Sequence, residues 1–354
     1  EYRRQRQMCI RDRIVSLGDK KFRAKQIYQW MHQKLVASYD EMTNVPAALR
    51  QKLAAEYPLT VLEPVRVQIS QIDGTRKYLF RLSDGNLIES VLMKYHHGNS
   101  VCISSQVGCR MGCRFCASTI DGLVRGLLPS EMLEQIYRIQ KDIGERVDNV
   151  VVMGSGEPFD NFDNLLRFIE LLNNEEGLNI SARNLTVSTC GIVPKIYELA
   201  DMQPQITLAI SLHSPNDELR RSIMPVANKY SIDEIMKACR YYVEKTGRRI
   251  TFEYSLVKDV NDTDECAMQL VHLVKGIKCH VNLIPVNPIK ERDYKQTAQA
   301  GVNHFRSRLE KCGVNATVRR EMGRDIDGAC GQLRRSYMES TDSNAGAPDG
   351  IKQE

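Results

Sequence analysis

No run of eighteen apolar residues occurs in the chain, and the opening stretch EYRRQRQMCIRDR has no apolar core of the signal-peptide kind. The first absence excludes a membrane-spanning helix. The second makes export unexpected and the cytoplasm the expected compartment. In that setting eleven cysteines do not read as a disulfide framework. Clustered ones point to metal or redox chemistry, and scattered ones read as small buried apolar residues.

What is present is length, ordinary composition and an uneven charge. At 354 residues the chain exceeds one average domain, so one large domain with a small one is expected. The formal charge is +5, yet residues 1–35 alone carry ten Lys/Arg against three Asp/Glu. A basic helical segment of this kind is either a solvated face or a surface for an RNA backbone.

Four parts follow along the chain. Residues 14–62 read as a small helical domain, with Ile27, Met31 and Leu35 at helical spacing beside Trp30, and Asn44 with Pro46 opening a second helix through Leu53. Residues 63–98 alternate apolar and polar, with turns at Asp73-Gly74 and Asp84-Gly85, as a β-rich connector of short strands does. From 99 to 322, strand candidates (VCIS, NVVVM, LTVST, ITLAISL, ITFEYSLV, HVNLIPV, ATVRR) alternate with amphipathic segments such as SEMLEQIYRIQKDI and SIDEIMKACRYYVEK. Repeated βα units imply an α/β fold with a parallel sheet, open or rolled into a full or partial barrel, and chemistry at the C-terminal strand ends. A loop segment, 323–340, and a polar tail, 341–354, expected to be disordered, complete the chain.

The strongest chemical signal is CISSQVGCRMGCRFCAST, residues 102–119. Cys109, Cys113 and Cys116 at this spacing can bind three irons of a [4Fe–4S] cluster, leaving one iron open to a small molecule. The alternative is zinc, whose structural sites take four protein ligands; no histidine or second CxxC stands nearby.

Cys-x3-Cys-x-Phe-Cys, with Phe115 before the last cysteine, resembles the signature of the radical S-adenosylmethionine (SAM) superfamily. Together with GSGEPFDN, SLHSPND, RxxIMPVANKY, NLIPVNP and GRDIDGACGQL, it makes residues 14–338 similar to the RlmN family of adenine carbon-2 methyltransferases. Residues 1–13 resemble nothing in that family, and their removal is expected to leave activity unchanged. The resemblance implies a partial (β/α)6 TIM-like radical SAM barrel in residues 99–322, one [4Fe–4S] cluster on Cys109, Cys113 and Cys116, and SAM held by Gly156, Glu157, Ser188, Ser211, Leu212, His213 and Asn287. The family's usual GMGEP reads GSGEP here, with Ser155 in place of methionine and the glycines and carboxylate intact.

Carbon 2 of adenine is electron-poor and cannot attack an electrophilic methyl group, so polar transfer fails and a carbon radical is needed. The resemblance implies two further cysteines for this. Cys330 takes a methyl from one SAM; a deoxyadenosyl radical from a second SAM removes a hydrogen from it; the resulting radical adds to carbon 2. Glu89 accepts the carbon-2 proton, and Cys102 attacks the sulfur of Cys330 to release the product, leaving a transient disulfide.

The implied substrates are 23S rRNA and, in bacterial members, tRNA. Lys20, Lys21, Arg23 and Lys25, with Arg319, Arg320, Arg324, Arg334 and Arg335, form a candidate phosphate-binding patch. A flavodoxin-type electron donor and a monomeric, membrane-free state are also expected. A Cfr-like carbon-8 methyltransferase and a zinc-containing RNA-binding protein are the competing readings.

Overall fold

The structure, a computed structural model, describes residue 10 and residues 12–287, 293–327, 329 and 331–345, the last five by backbone only. Cys330 lies outside the described residues. Helical backbone at residue 10 and residues 12–16 crosses the expected boundary at residue 14. Helices α1 (Arg23–His32) and α2 (Ala47–Glu56) follow, around a small core that includes Ile14, Ile27, Met42 and Leu49, with Ile10 packed against it. The helical period read through Leu35 stops early. Val36 N–H closes the end of α1 on the Trp30 carbonyl at 3.3 Å, and Leu35 turns left-handed (φ 56°) into the main core.

Strands β1 (Glu63–Ile69), β2 (Arg76–Arg81), β3 (Leu87–Tyr95) and β4 (Gly98–Cys102) form an antiparallel meander. It is no separate connector but one edge of a ten-stranded sheet. From β4 the sheet continues parallel through β7 (Asn149–Val152), β8 (Leu185–Thr189), β9 (Thr207–Ser211), β10 (Ile250–Leu256), β11 (Cys279–Pro285) and β12 (Ala316–Val318). The cysteine loop departs from the short ribbon β5 (Gln106–Gly108) and β6 (Leu123–Gly126).

The crossovers carry α3 (Pro129–Ile143), α4 (Phe162–Leu172), α5 (Val193–Asp201), α6 (Asp217–Ile223) with α7 (Ile232–Thr246), α8 (Asp264–Val274) and α9 (Gln299–Lys311). Six parallel steps separate β4 from β12, so the sheet is a partial barrel of six βα units plus a closing strand. Val150, Val187, Leu208, Ile210, Phe252 and Leu283 are fully buried, as parallel strands covered on both faces require.

The edges β1 and β12 do not pair. The chain after β12 fills the space between them: Asp73 accepts from Gly323 N at 2.9 Å, Asp325 accepts from Ser70 Oγ at 2.6 Å, and Gln68 Nε2 donates to Asp327 at 3.0 Å. It ends in α10 (Gln332–Ala345), which runs five residues into the segment expected to be a tail. No helix among the described residues is long and apolar enough to cross a membrane.

Candidate active site

Cys109, Cys113 and Cys116 lie on the loop between β5 and β6, at the C-terminal edge of the parallel sheet. Cys109 N–H donates to the Gly122 carbonyl at 2.8 Å, and Thr119 Oγ1 caps the carbonyls of Cys113 and Cys116 at 3.0 and 2.9 Å. Gly108 has φ 74°, and a Cβ there would stand 2.0 Å from the Gly122 carbonyl oxygen, so the tight entry to the loop requires glycine. Burial, with the charges of Cys116 and Glu157, pushes the Cys109 thiol up to about 12; Cys113 is raised by burial and by Cys116 and Cys109.

Burial disfavours the thiolates of Cys109 and Cys113, and bound iron would supply the positive charge that thiolates there need. A four-iron cluster spreads its thiolates over separate irons, and three thiols held on one short loop are a donor set that fits it.

The GSGEP loop after β7 packs directly on the stretch after β4. A Cβ on Gly156 (φ 107°) would meet Gln106 Cβ at 2.6 Å, and the Gln106 side chain accepts from Glu157 N at 2.8 Å. Asp160 ties this loop to the cysteine loop, accepting from Gln106 Nε2 at 3.1 Å and pairing with Arg110. The buried Glu157 carboxylate accepts from Phe159 N at 3.0 Å and Cys190 N at 2.7 Å. Burial raises its pKa against those bonds.

Ser188 and Ser211, at the ends of β8 and β9, join hydroxyls at 3.2 Å. Leu212 is fully buried, its N–H bonded to the Glu253 carbonyl at 3.1 Å. His213 is left-handed (φ 55°), and its Nδ1 accepts from Ser255 N at 2.9 Å, which leaves any proton of the neutral ring on Nε2. Burial, reinforced by Arg220, lowers its pKa to about 3. Its ring meets Phe115 of the cysteine motif edge-on at 4.9 Å.

Glu89, on β3, is sealed by Lys77, which is 0% exposed, at 3.0 Å. Its two oxygens also accept from Gly331 N at 2.6 Å and Arg334 N at 2.7 Å, while Lys77 Nζ donates to the Ala329 carbonyl. Both flanks of residue 330 are thus gripped by one ion pair. Gly331 (φ 83°) abuts the residue after the last loop cysteine, with 3.0 Å from its would-be Cβ to Ala117. Cys102, at the end of β4, lines a cavity of about 370 Å³ with Asn287, Ala329, Gln332 and Arg319–Arg320.

Sequence reasoning missed three buried residues here. Lys77 looks like the outward polar member of an alternating strand. Asn261 Nδ2 donates to the His213 and Ser255 carbonyls at 2.8 and 2.6 Å and its Oδ1 accepts from Val257 N at 2.8 Å, in a turn that carries no motif. Gln135 of α3 fixes Ser104 through both N–H and carbonyl, and Ser104 Oγ donates to the Glu89 carbonyl at 2.7 Å. The basic patch is partly paired: Lys25 with Glu176 at 3.0 Å, Arg324 with Glu321 at 2.6 Å and Arg335 with Glu339 at 3.2 Å.

Fold and site define an α/β partial barrel built around a three-cysteine loop, and residues 103–271 match the radical SAM superfamily model. Residues 5–58 match the ribosomal RNA large subunit methyltransferase N-terminal domain, so the likeness begins inside the stretch 1–13 expected to resemble nothing in the family. The probable dual-specificity RNA methyltransferase RlmN of Lachnospira eligens is 73% identical over 333 residues, 94% of this chain and 95% of the relative. Its counterpart in Lachnoclostridium phytofermentans is 62% identical, with 92% and 91% covered. A crystal structure of a radical SAM methyltransferase from Sphaerobacter thermophilus superposes with a TM-score of 0.88 at 45% identity, over 91% of this chain and 95% of that one. The chain belongs to the RlmN family of radical SAM RNA methyltransferases.

Proposed function

We propose that this enzyme methylates carbon 2 of an adenine in 23S rRNA, and of tRNA, with Cys330 as methyl carrier and Cys102 as resolving thiol. One observation carries the reading: the chain on either side of Cys330 is clamped by Lys77 and Glu89, and Ala329 lines the same cavity as Cys102. In this reading Cys109, Cys113 and Cys116 hold the [4Fe–4S] cluster. Gly156, Glu157, Ser188, Ser211, Leu212, His213 and Asn287 hold SAM. When bound, cluster and SAM supply an electron and a carbon radical that no side chain can.

The chain's own residues do the rest. Glu157 offers a buried carboxylate to an ammonium, and His213 a neutral ring whose Nε2–H is free of the Ser255 bond. Glu89 accepts three hydrogen bonds of the about four its lone pairs allow, which leaves a position for the carbon-2 proton. Cys102 cuts the product loose by attacking the Cys330 sulfur. Arg319 and Arg320 at the cavity mouth suit phosphates, and a flavodoxin-type protein suits the electron supply. The enzyme acts as a monomer in the cytoplasm.

Relatives that carry the RlmN name at 73% and 62% identity favour carbon 2 over carbon 8. Mass spectrometry of nucleosides from anaerobic assays tests it: 2-methyladenosine is expected, and 8-methyladenosine overturns the reading.

A further inference from the structure

Arg220 belongs to the RxxIMPVANKY stretch, to which the site above gives no role. It heads the largest side chains that are fully buried, at 0% exposure. The helix that carries it, α6, docks on the cysteine loop: Arg114 N–H donates to the Ile223 carbonyl at 2.9 Å, and a Cβ on Gly112 would lie 3.3 Å from Pro225. Its Nε donates to the Leu212 carbonyl at 3.1 Å, and Nη2 donates to the Cys190 carbonyl at 2.6 Å and, more weakly, to Ser211 at 3.4 Å. Nη1 is buried and bonded to nothing among the described residues.

No carboxylate among the described residues forms a salt bridge with it. Asp217, one turn earlier, attracts it only at longer range and accepts from Ile232 N at 2.8 Å. Cys190, whose carbonyl it bonds, packs in one cluster with Ile223, Met224, Cys113 and Phe115, which sets the cysteine loop against this corner. A guanidinium does not deprotonate in a protein, and an ion taken from water without an anion costs several kcal/mol. Three carbonyls offset part of that cost. The rest asks for negative charge close by.

We propose that Arg220 is the fixed counter-charge of the iron–sulfur cluster, placed behind the loop that binds it. This rests on the reading that Cys109, Cys113 and Cys116 hold that cluster. A positive charge there would favour the reduced cluster, which carries one more negative charge, over the oxidised one. One electron from an external reductant enters and no bond forms. Arg220 is a positioning residue: it touches neither substrate nor iron, and its effect is a higher reduction potential.

The test is an anaerobic titration of the full-length holoprotein with dithionite and mediators, read by electron paramagnetic resonance with iron content. It compares wild type with Arg220→Met and Arg220→Lys. For Arg220→Met we expect the ratio of reduced to oxidised cluster at fixed potential to fall about tenfold or more, a midpoint about 59 mV more negative for one electron. Arg220→Lys keeps the charge and should stay within that bound. A Met variant with the wild-type midpoint, or a Lys variant shifted as far as Met, overturns the proposal in favour of plain packing. If the Met variant holds no iron, the Lys variant decides: wild-type iron and midpoint support the proposal, and absent iron overturns it. A wild type with no iron–sulfur signal would instead remove the cluster reading itself.

Discussion

Lys77 and Glu89 form a buried ion pair at 3.0 Å whose two halves hold opposite flanks of one loop, Lys77 through the Ala329 carbonyl and Glu89 through Gly331 N–H. The pair thus fixes Ala329 and Gly331 from two sides, as the carrier role proposed for Cys330 would need, because effective molarity depends on fixed geometry.

Removing one partner strands the other charge. Lys77→Met is expected to destabilise the fold by about 3–5 kcal/mol, the usual cost of breaking a buried pair. Denaturant unfolding reads that loss, and hydrogen exchange at Gly331 and Arg334 should quicken selectively. Unchanged exchange there would mean that the loop is held by something else.

Asn261 makes three hydrogen bonds around the His213 turn. Asn261→Ala strands buried backbone groups at roughly 1–3 kcal/mol each, so a loss of about 3 kcal/mol is expected together with weaker SAM binding. Calorimetric titration with SAM and thermal unfolding check the two effects separately.

His213 predicts a pH dependence. Its folded pKa of about 3 lies below the ordinary 6.5, so between those values the unfolded chain binds a proton that the folded chain refuses. Its contribution to stability is complete above pH 6.5 and declines as pH falls toward 3. Asparagine tolerates the left-handed backbone and offers an oxygen to Ser255 N–H. His213→Asn should therefore match wild type at pH 7.5 in unfolding midpoint and lose less than wild type at pH 5. An equal loss in both proteins would contradict this.

The N-terminal segment gives a fourth expectation. Ile10 packs on the helical-domain core, and the Arg13 guanidinium stands 4.8 Å from the Tyr57 ring centre. Deleting residues 1–13 should thus lower the melting temperature of the helical domain, while methylation by the folded fraction persists. An unchanged melting curve would show that these contacts add nothing.

The parallel strands were legible because burial on both faces leaves continuous apolar runs such as NVVVM and ITLAISL. Leu35 misled because its helical spacing continues past the point where the backbone turns. Lys77 was invisible because strand alternation marks a polar residue as outward, whereas its whole strand from Lys77 to Phe80 is buried. Asn261 and Arg220 serve through carbonyls of residues distant in sequence, and pattern alone does not pair them. The three clustered cysteines were the opposite case, since their spacing alone puts them on one short loop, where the structure has them between β5 and β6.

The central claim is a methyl group carried on sulfur and made reactive by loss of one hydrogen. The most direct measurement supplies SAM with a fully deuterated methyl group to the anaerobic holoenzyme and rRNA, and weighs both the methylated adenosine and the 5′-deoxyadenosine. The account predicts that the base gains a methyl lacking one deuterium and that the missing deuterium is found in 5′-deoxyadenosine. A methyl that arrives with every deuterium in place, and no 5′-deoxyadenosine, would contradict it.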